Sequence, residues 1–324
     1  MIAALPRLDP AAHAAHALHR DAQSFGESNC YADLWIELLS ALELDPHAML
    51  AHVLAVDFEG DQWTFFKPPG EDLRSLYGLD VQELQIWSNF AGHVLEQLRR
   101  GRIVLAEVDA FFLPDTAGTS HHLSHVKTTI GIERADFDRG ELGYFHNGGY
   151  HLLDGADCAG LFESLPALPP YVEFVKLDHV KRLPASELRQ RSRALLASHL
   201  ERAPIQNPIV AQACQLDAQI RCFMGDLERF HAYSFASFRQ CGAAWELAAR
   251  YARWLFPDDP EAALAAADFE RLADAAKSTI LQLARATARG KTRDLKLLVA
   301  VASSWDTALG RLRGCLARHG AKAA

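Results

Sequence analysis

Hydrophobic positions fall into two regimes along this chain. Up to about residue 182, short apolar runs of the strand kind alternate with amphipathic stretches; from about Leu183 onward apolar residues recur only at helical spacing. In the first regime Leu34, Trp35, Leu38, Leu39 and Leu42 make one stripe, which predicts a helix capped by Ser28 or Asn29. Asp45-Pro46 opens a helical turn. Residues 53–58 and 62–66 predict a strand pair around Glu59-Gly60-Asp61, and 71–77 a short helix. Asp80 caps a predicted helix over 81–100, with Leu84, Trp87, Ala91, Val94, Leu95 and Leu98 on its apolar face and Gly101 ending it. Strands are predicted over 102–108 (RIVLAEV), 126–132 (VKTTIGI), 141–145 (ELGYF), 150–153 and 171–177, with a short helix over 157–163.

The second regime predicts helices near 185–203, 207–229, 233–256, 259–289 and 291–317, broken by Pro204, by Pro257-Asp258-Asp259-Pro260 and by Gly290. Phe223, Phe230, Tyr233, Phe235, Phe238, Trp245, Tyr251 and Trp254 are assigned to its core. The fold expected is α+β in two domains, an α+β domain over 1–182 and an all-helical domain over 183–324. Antiparallel pairing of 126–132 with 141–145 makes His125 a predicted neighbour of His146 and Asn147.

Charge sharpens this division. The whole chain of 324 residues carries a net −8. Residues 1–180 hold 11 Lys and Arg against 27 Asp and Glu, and 181–324 hold 22 against 14, so an acidic front stands before a basic rear. The basic residues are spread along helices with acids interleaved and no nucleic-acid motif accompanies them, so a solvated face or an acidic protein partner is expected, and no nucleic acid. No stretch approaches 18 apolar residues and no signal peptide is apparent, so neither a membrane span nor export is expected. The 6 cysteines lack CxxC spacing, which fits a reducing compartment, and the expected location is the cytoplasm.

Several side chains carry chemistry. Cys30 stands at the first turn of the first helix, where backbone N–H groups and the helix dipole ease loss of a thiol proton; the alternative is a small buried side chain. Gln23 is a candidate oxyanion donor or a surface residue. Asp109 ends an apolar strand, as a turn-former or a site residue. His13, His16 and His19 recur every three residues without a nearby carboxylate or cysteine. His121, His122 and His125 precede strand-formers, and His121 and His125 would share a face only on a helix. No metal site and no bound cofactor are expected at either group.

A Cys at a helix start, a His at a strand start and a polar residue at the end of the paired strand follow papain-type order. The thiolate attacks a carbonyl, the imidazole moves the proton, and a third group holds the imidazole's tautomer. The segments SNC, VLAEVDAFFLP, HHLSHVKTTIGI and GYFHN resemble the N-terminal region of the butirosin biosynthesis protein H family, and of an uncharacterised bacterial domain family that spans most of the chain. The resemblance implies a papain-like cysteine-peptidase fold and aminoacyl transfer from a thioester on the phosphopantetheine of an acyl carrier protein to an amine. It implies Cys30 as nucleophile and His125 as base, and matches Asp109 to an acid of unassigned role. Where those relatives have Asp-Pro, this chain has His146-Asn147. Asn147 is then the expected third catalytic residue, with His146 as alternative and Asn29 and His122 as possible site-lining residues. Arg285, Arg289, Lys291, Arg293 and Lys296 are the candidate carrier-docking patch. The rival readings are a cysteine hydrolase (thioesterase, amidase or peptidase) on the same dyad, and a non-catalytic binding protein that keeps the fold.

Overall fold

A computed structural model describes residues 1–6, 8–163, 169–290 and 297–320. They form two compact units, each assembled from discontinuous segments. The first comprises Met1–Arg20, Asn29–Pro46 and Pro69–Leu183, and the second Asp21–Ser28, His47–Pro68 and Pro184–Ala324. The expected 1–182 domain therefore cedes two segments to the helical unit.

The first unit is mixed α/β. Its elements are β1 (Ile2–Ala3), α1 (Ala17–Arg20), α2 (Cys30–Ala41), α3 (Gly70–Tyr77), β2 (Asp80–Glu83), α4 (Phe90–Arg99), β3 (Ile103–Asp109), β4 (Lys127–Asp136), β5 (Glu141–His146), β6 (Gly149–Leu153), α5 (Gly155–Glu163) and β7 (Val172–Lys176). The strands make one antiparallel seven-stranded sheet in the order β2-β7-β3-β4-β5-β6, with β1 paired to β4 beyond a register shift at Ile132/Arg134. One sheet face carries an apolar core of Val94 and Leu98 from α4, Val104, Ile130, Ile132, Tyr144 and Leu161.

The other face carries α2. A Cβ on Gly131 would stand 3.4 Å from both Leu34 and Leu105, so the bare glycine lets the helix lie close on β4. Every residue from Tyr31 to Leu39 is buried, including Asp33 and Glu37 at 1% and 0% exposure. Buried carboxylates need donors, and the N-terminal segment supplies them. His13 Nε2 and His19 Nδ1 reach Glu37 at 2.9 and 2.5 Å, the His16 backbone N–H donates to it at 2.9 Å, and His19 Nε2 meets Asp33 at 3.2 Å. The three-residue histidine spacing thus serves two carboxylates, and only Ala17–Arg20 is helical there.

Two local expectations fail. Residues 81–100 are not one helix: Asp80–Glu83 pairs with β7, and Trp87 is 83% exposed. Strand pairing satisfies this stretch's backbone, and the helix waits for Asn89, whose side chain caps Ala91. Residues 53–66 yield only the isolated bridge Phe58–Trp63, because Pro46–Ala55 is a 3-10 helix.

The second unit holds α6 (Ala185–Arg202), α7 (Pro208–Phe223), α8 (Leu227–Ser234), a π-helical turn (Phe235–Arg239), α9 (Gln240–Leu255), α10 (Pro260–Arg289), α11 (Leu297–Ala300) and α12 (Ser303–Gly320). Gly225, at φ 83°, divides what the periodicity reads as one helix over 207–229. Of the aromatics assigned to this core, Phe235 lies on the π-helical turn and is 43% exposed, while Phe230, Phe238, Trp245 and Tyr251 are buried. No helix among the described residues is long and apolar enough to cross a membrane.

The Glu37 cluster predicts a pH signature. Burial alone would lower the His19 pKa, but its bonds to Asp33 and Glu37 outweigh burial and raise it from 6.5 to about 9. This stabilisation is complete below pH 6.5 and is lost as pH rises through 9. Burial alone would raise the Glu37 pKa, but bonds from His13, His19 and the His16 backbone hold it at about 2, so its contribution is present above pH 4.5 and fades as pH falls through 2. Glu37→Gln is expected to cost about 1–3 kcal/mol, since a neutral amide cannot accept all the buried hydrogen bonds that Glu37 receives from His13, His16 and His19, and to flatten the decline between pH 6.5 and 9 in urea melts. A decline of unchanged slope in the variant would show that another group causes it.

A second test concerns Gly78, the left-handed C-cap of α3 (φ 73°), where an added Cβ would fall 1.9 Å from the His179 carbonyl oxygen. Gly78→Ala is expected to lose about 1–3 kcal/mol of unfolding free energy; an unchanged urea midpoint would refute the tight approach.

Candidate active site

Cys30 is the first residue of α2, half-buried, with Asn29 as N-cap. The buried Asn29 side chain accepts from the Ala32 N–H at 2.9 Å, so its role is to start the helix that presents the thiol. The next residue, Tyr31, donates its hydroxyl to Glu173 on β7 at 2.7 Å. Burial first, then the Glu173 charge, holds that phenol above its ordinary range, so it stays a donor. Tyr171 donates to the same carboxylate at 2.8 Å.

His125 lies two residues before β4. Asp109 ends β3 and pairs with Lys127. Alternation along β3 puts Asp109 on the Leu105 side, the face that Leu34 of α2 covers at Gly131. The Asp109 carboxylate is held from several directions. Oδ1 accepts the backbone N–H of Phe111 at 3.0 Å and of Val126 at 3.3 Å; Oδ2 meets His125 Nδ1 at 2.6 Å. An ionised carboxylate accepts only, so His125 Nδ1 carries the proton and Nε2 is left as the acceptor nitrogen. Phe111 stacks on the imidazole, with centroids 4.5 Å apart and planes at 14°. The imidazole thus has a set tautomer and plane, while the side chain is 73% exposed. Lys127 and Glu107, diagonal neighbours on the two strands, meet at 2.8 Å.

The third residue differs from expectation. Asn147 does not meet His125. It is the first turn residue of the two-residue β5–β6 loop, at φ 47°, followed by Gly148. Asn is among the non-glycine residues that tolerate the left-handed φ of this first turn position. Gly131 pairs with Phe145, so Asn147 falls opposite Thr129, four residues and about 13 Å from His125 along the strand. The turn lies instead beside His19, whose ring a Cβ on Gly148 would approach to 3.1 Å. His146 is also committed elsewhere. Buried on the α4 side, it donates from Nδ1 to Asp115 at 2.5 Å and accepts the Thr128 hydroxyl at Nε2 at 2.7 Å. Pairing of 126–132 with 141–145 occurs, but its register stops short of His125, because β4 extends on to Asp136.

The Asp109–His125 contact is legible in part from the sequence. Asp109 at the end of one apolar strand, with the next strand starting just after His125, forms an antiparallel neighbour pair, and that pairing makes the contact. Element order alone predicts only the pairing of β4 with β5, whereas β4 pairs with β3 as well.

Other candidates separate. His122 turns away from Asp109 and meets Asp157 at 2.6 Å. Gln23 belongs to the second unit, where its backbone N–H donates to Glu246 at 2.6 Å; Ser24 and Phe25 donate to the same carboxylate. Arg285 and Arg289 are exposed on α10, whereas Lys291, Arg293 and Lys296 lie outside the described residues.

Residues 14–177 match the DUF1839 N-terminal domain, and residues 185–314 match the DUF1839 C-terminal domain. The chain belongs to the DUF1839 family. That family, a domain of unknown function, accounts for both regimes of the sequence. No curated protein matches the chain.

Asn147 and Asp109 can be told apart experimentally. Asn147→Gly is expected to change stability by less than about 1 kcal/mol, since glycine accepts the same φ, and to leave the alkylation rate of Cys30 by iodoacetamide, read by peptide mass mapping, unaltered. A tenfold fall in that rate, on the order of one pKa unit or a lost base, would return Asn147 to the site.

Proposed function

We propose that this DUF1839 protein performs cysteine-dependent acyl transfer, with Cys30 as nucleophile, His125 as general base and Asp109 as the residue that orients His125. The observation that carries this reading is the 2.6 Å contact between Asp109 and His125 Nδ1, on the sheet face that α2 covers. A base held by a carboxylate at one nitrogen and open at the other, together with a thiol at a helix start, is the equipment thiol acyl chemistry requires. In the proposed cycle the Cys30 sulfur attacks an acyl carbonyl, its proton passing to His125 Nε2. The developing oxyanion meets backbone N–H groups at the start of α2. His125 then protonates the leaving group, and a Cys30 thioester remains. An amine attacks that thioester, gives its proton to His125, and departs as the amide, restoring the thiol.

The resemblance to the butirosin protein H family supports a papain-like arrangement and a donor thioester on a carrier protein. A basic helical half, net +8 over residues 181–324, suits an acidic carrier. In the first unit Glu173 stands opposite Glu83, and Glu107 and Asp109 share their sheet face, an acidic setting suited to an amine acceptor. Hydrolysis on the same residues is the second reading. It is favoured by the exposure of His125, 73% of whose side chain is open to water, which competes with an amine for the thioester.

Intact-protein mass spectrometry tests the reading. The full chain is mixed with an aminoacyl-loaded carrier protein and quenched in acid. A mass gain equal to the aminoacyl group is expected in the unsubstituted protein and absent in Cys30→Ala. Asp109→Asn should slow adduct formation by about 100-fold or more, the order of a positioned general base. No adduct, together with no accelerated loss of the carrier's load, would sink carrier-dependent acylation. Adduct decay to free acid rather than to an amide, with amine present, would select hydrolysis.

A further inference from the structure

We propose that His121, His122 and Asp157 form a binding site for one divalent cation of the zinc class, apart from the thiol chemistry. The two histidines lie in the turn before β4, and Asp157 lies in the first turn of α5. His121 Nε2 stands 2.8 Å from Asp157 Oδ2, and His122 Nε2 stands 2.6 Å from Oδ1. The donor atoms of all three residues lie within 4.8 Å of one another.

The backbone is arranged for this convergence. Consecutive residues of an extended segment point to opposite sides, yet these two rings stack with centroids 4.0 Å apart and planes at 29°. The reversal comes from His122, a non-glycine residue at φ 53°. That conformation costs about 1–2 kcal/mol for an L-residue, and strain of this kind gathers at ligand-holding sites. The turn is pinned by the His122 N–H to the Phe111 carbonyl at 3.0 Å and the Leu123 N–H to the Ser120 carbonyl at 2.9 Å. A strand-like course through 121–125 would give these histidines no common face. The turn gives them one, and a carboxylate from 35 residues downstream completes the set.

Donor chemistry selects the ion. Two imidazoles and one carboxylate suit zinc, and do not suit calcium or magnesium, which take oxygen ligands. Tetrahedral zinc with bonds of about 2.0–2.1 Å needs donors roughly 3.3 Å apart. The side chains therefore have to open by on the order of half an ångström. His122, 57% exposed, and Asp157, 19% exposed, have room to do so. The open side leaves a fourth position for water. Phe111 lies against both His122, at 5.4 Å, and His125, at 4.5 Å. A cation here would clip the turn to α5 and steady the loop that leads to His125.

The test is a zinc titration of the full chain, stripped of metal, against a chromophoric chelator. One ion per chain is expected, with a Kd tighter than about 10 µM. Asp157→Asn and His122→Ala should each weaken it at least tenfold, about 1.4 kcal/mol, while far-ultraviolet circular dichroism stays that of the parent. Binding weaker than that limit in the parent overturns the site. So does binding that both variants retain, which would place the ion elsewhere, for instance among the histidines around Glu37. Metal binding is read without reference to Cys30, so it stands or falls separately from the acyl-transfer reading.

Discussion

Two carboxylates inside the fold set the terms for everything around them. Asp33 and Glu37 project from a helix buried on every side, and an unpaired charge there would cost several kcal/mol. Histidines from the N-terminal segment meet that demand, so a stretch with almost no regular structure is held in one place. The same interaction holds α2 against the sheet, and α2 carries Cys30 at its first residue. The His13 ring also stands 6.3 Å from Phe145 and 6.2 Å from Tyr150, which ties the β5–β6 hairpin to the same cluster.

A second arrangement depends on the sheet. Antiparallel pairing of β3 with β4 brings the end of one strand beside the start of the next, and there Asp109 meets His125. Two backbone N–H groups hold one oxygen of the acid while the imidazole meets the other. His146, by contrast, is consumed by Asp115 and Thr128 on the opposite face. Two histidine–aspartate contacts of similar length therefore differ in kind: one is buried and closed, the other is open at Nε2.

The loop between β3 and β4 concentrates the unusual features of this unit. It contains the His125 contact, the left-handed His122 and the His121–His122 stack. Phe111 links them by packing against two of the three imidazoles. Loops on a rigid sheet are where side chains can be aimed without disturbing a core, and the apolar core of this unit is built by α4, α5 and strands β3 to β7.

By itself the sequence determined the elements whose periodicity is strong: α2 with its cap, strands β3 to β7, and the helical rear half. Apolar spacing and capping residues are local properties, and local physics decides them. It also marked Cys30, His125 and Asp109 as chemistry-bearing, through their places at element ends. What it left undecided are matters of register and of distance in space. Antiparallel pairing of 126–132 with 141–145 is legible, yet only the pairing of Gly131 with Phe145 shows that Asn147 stops short of His125. Asp80 and residues 81–83 read as the cap and first turn of a helix, yet form a strand because β7 offers partners. Asp157 joins His121 and His122 across 35 residues or more, and Glu37 gathers His13 and His19. Those meetings depend on the packing of elements distant in sequence, which only the tertiary structure decides.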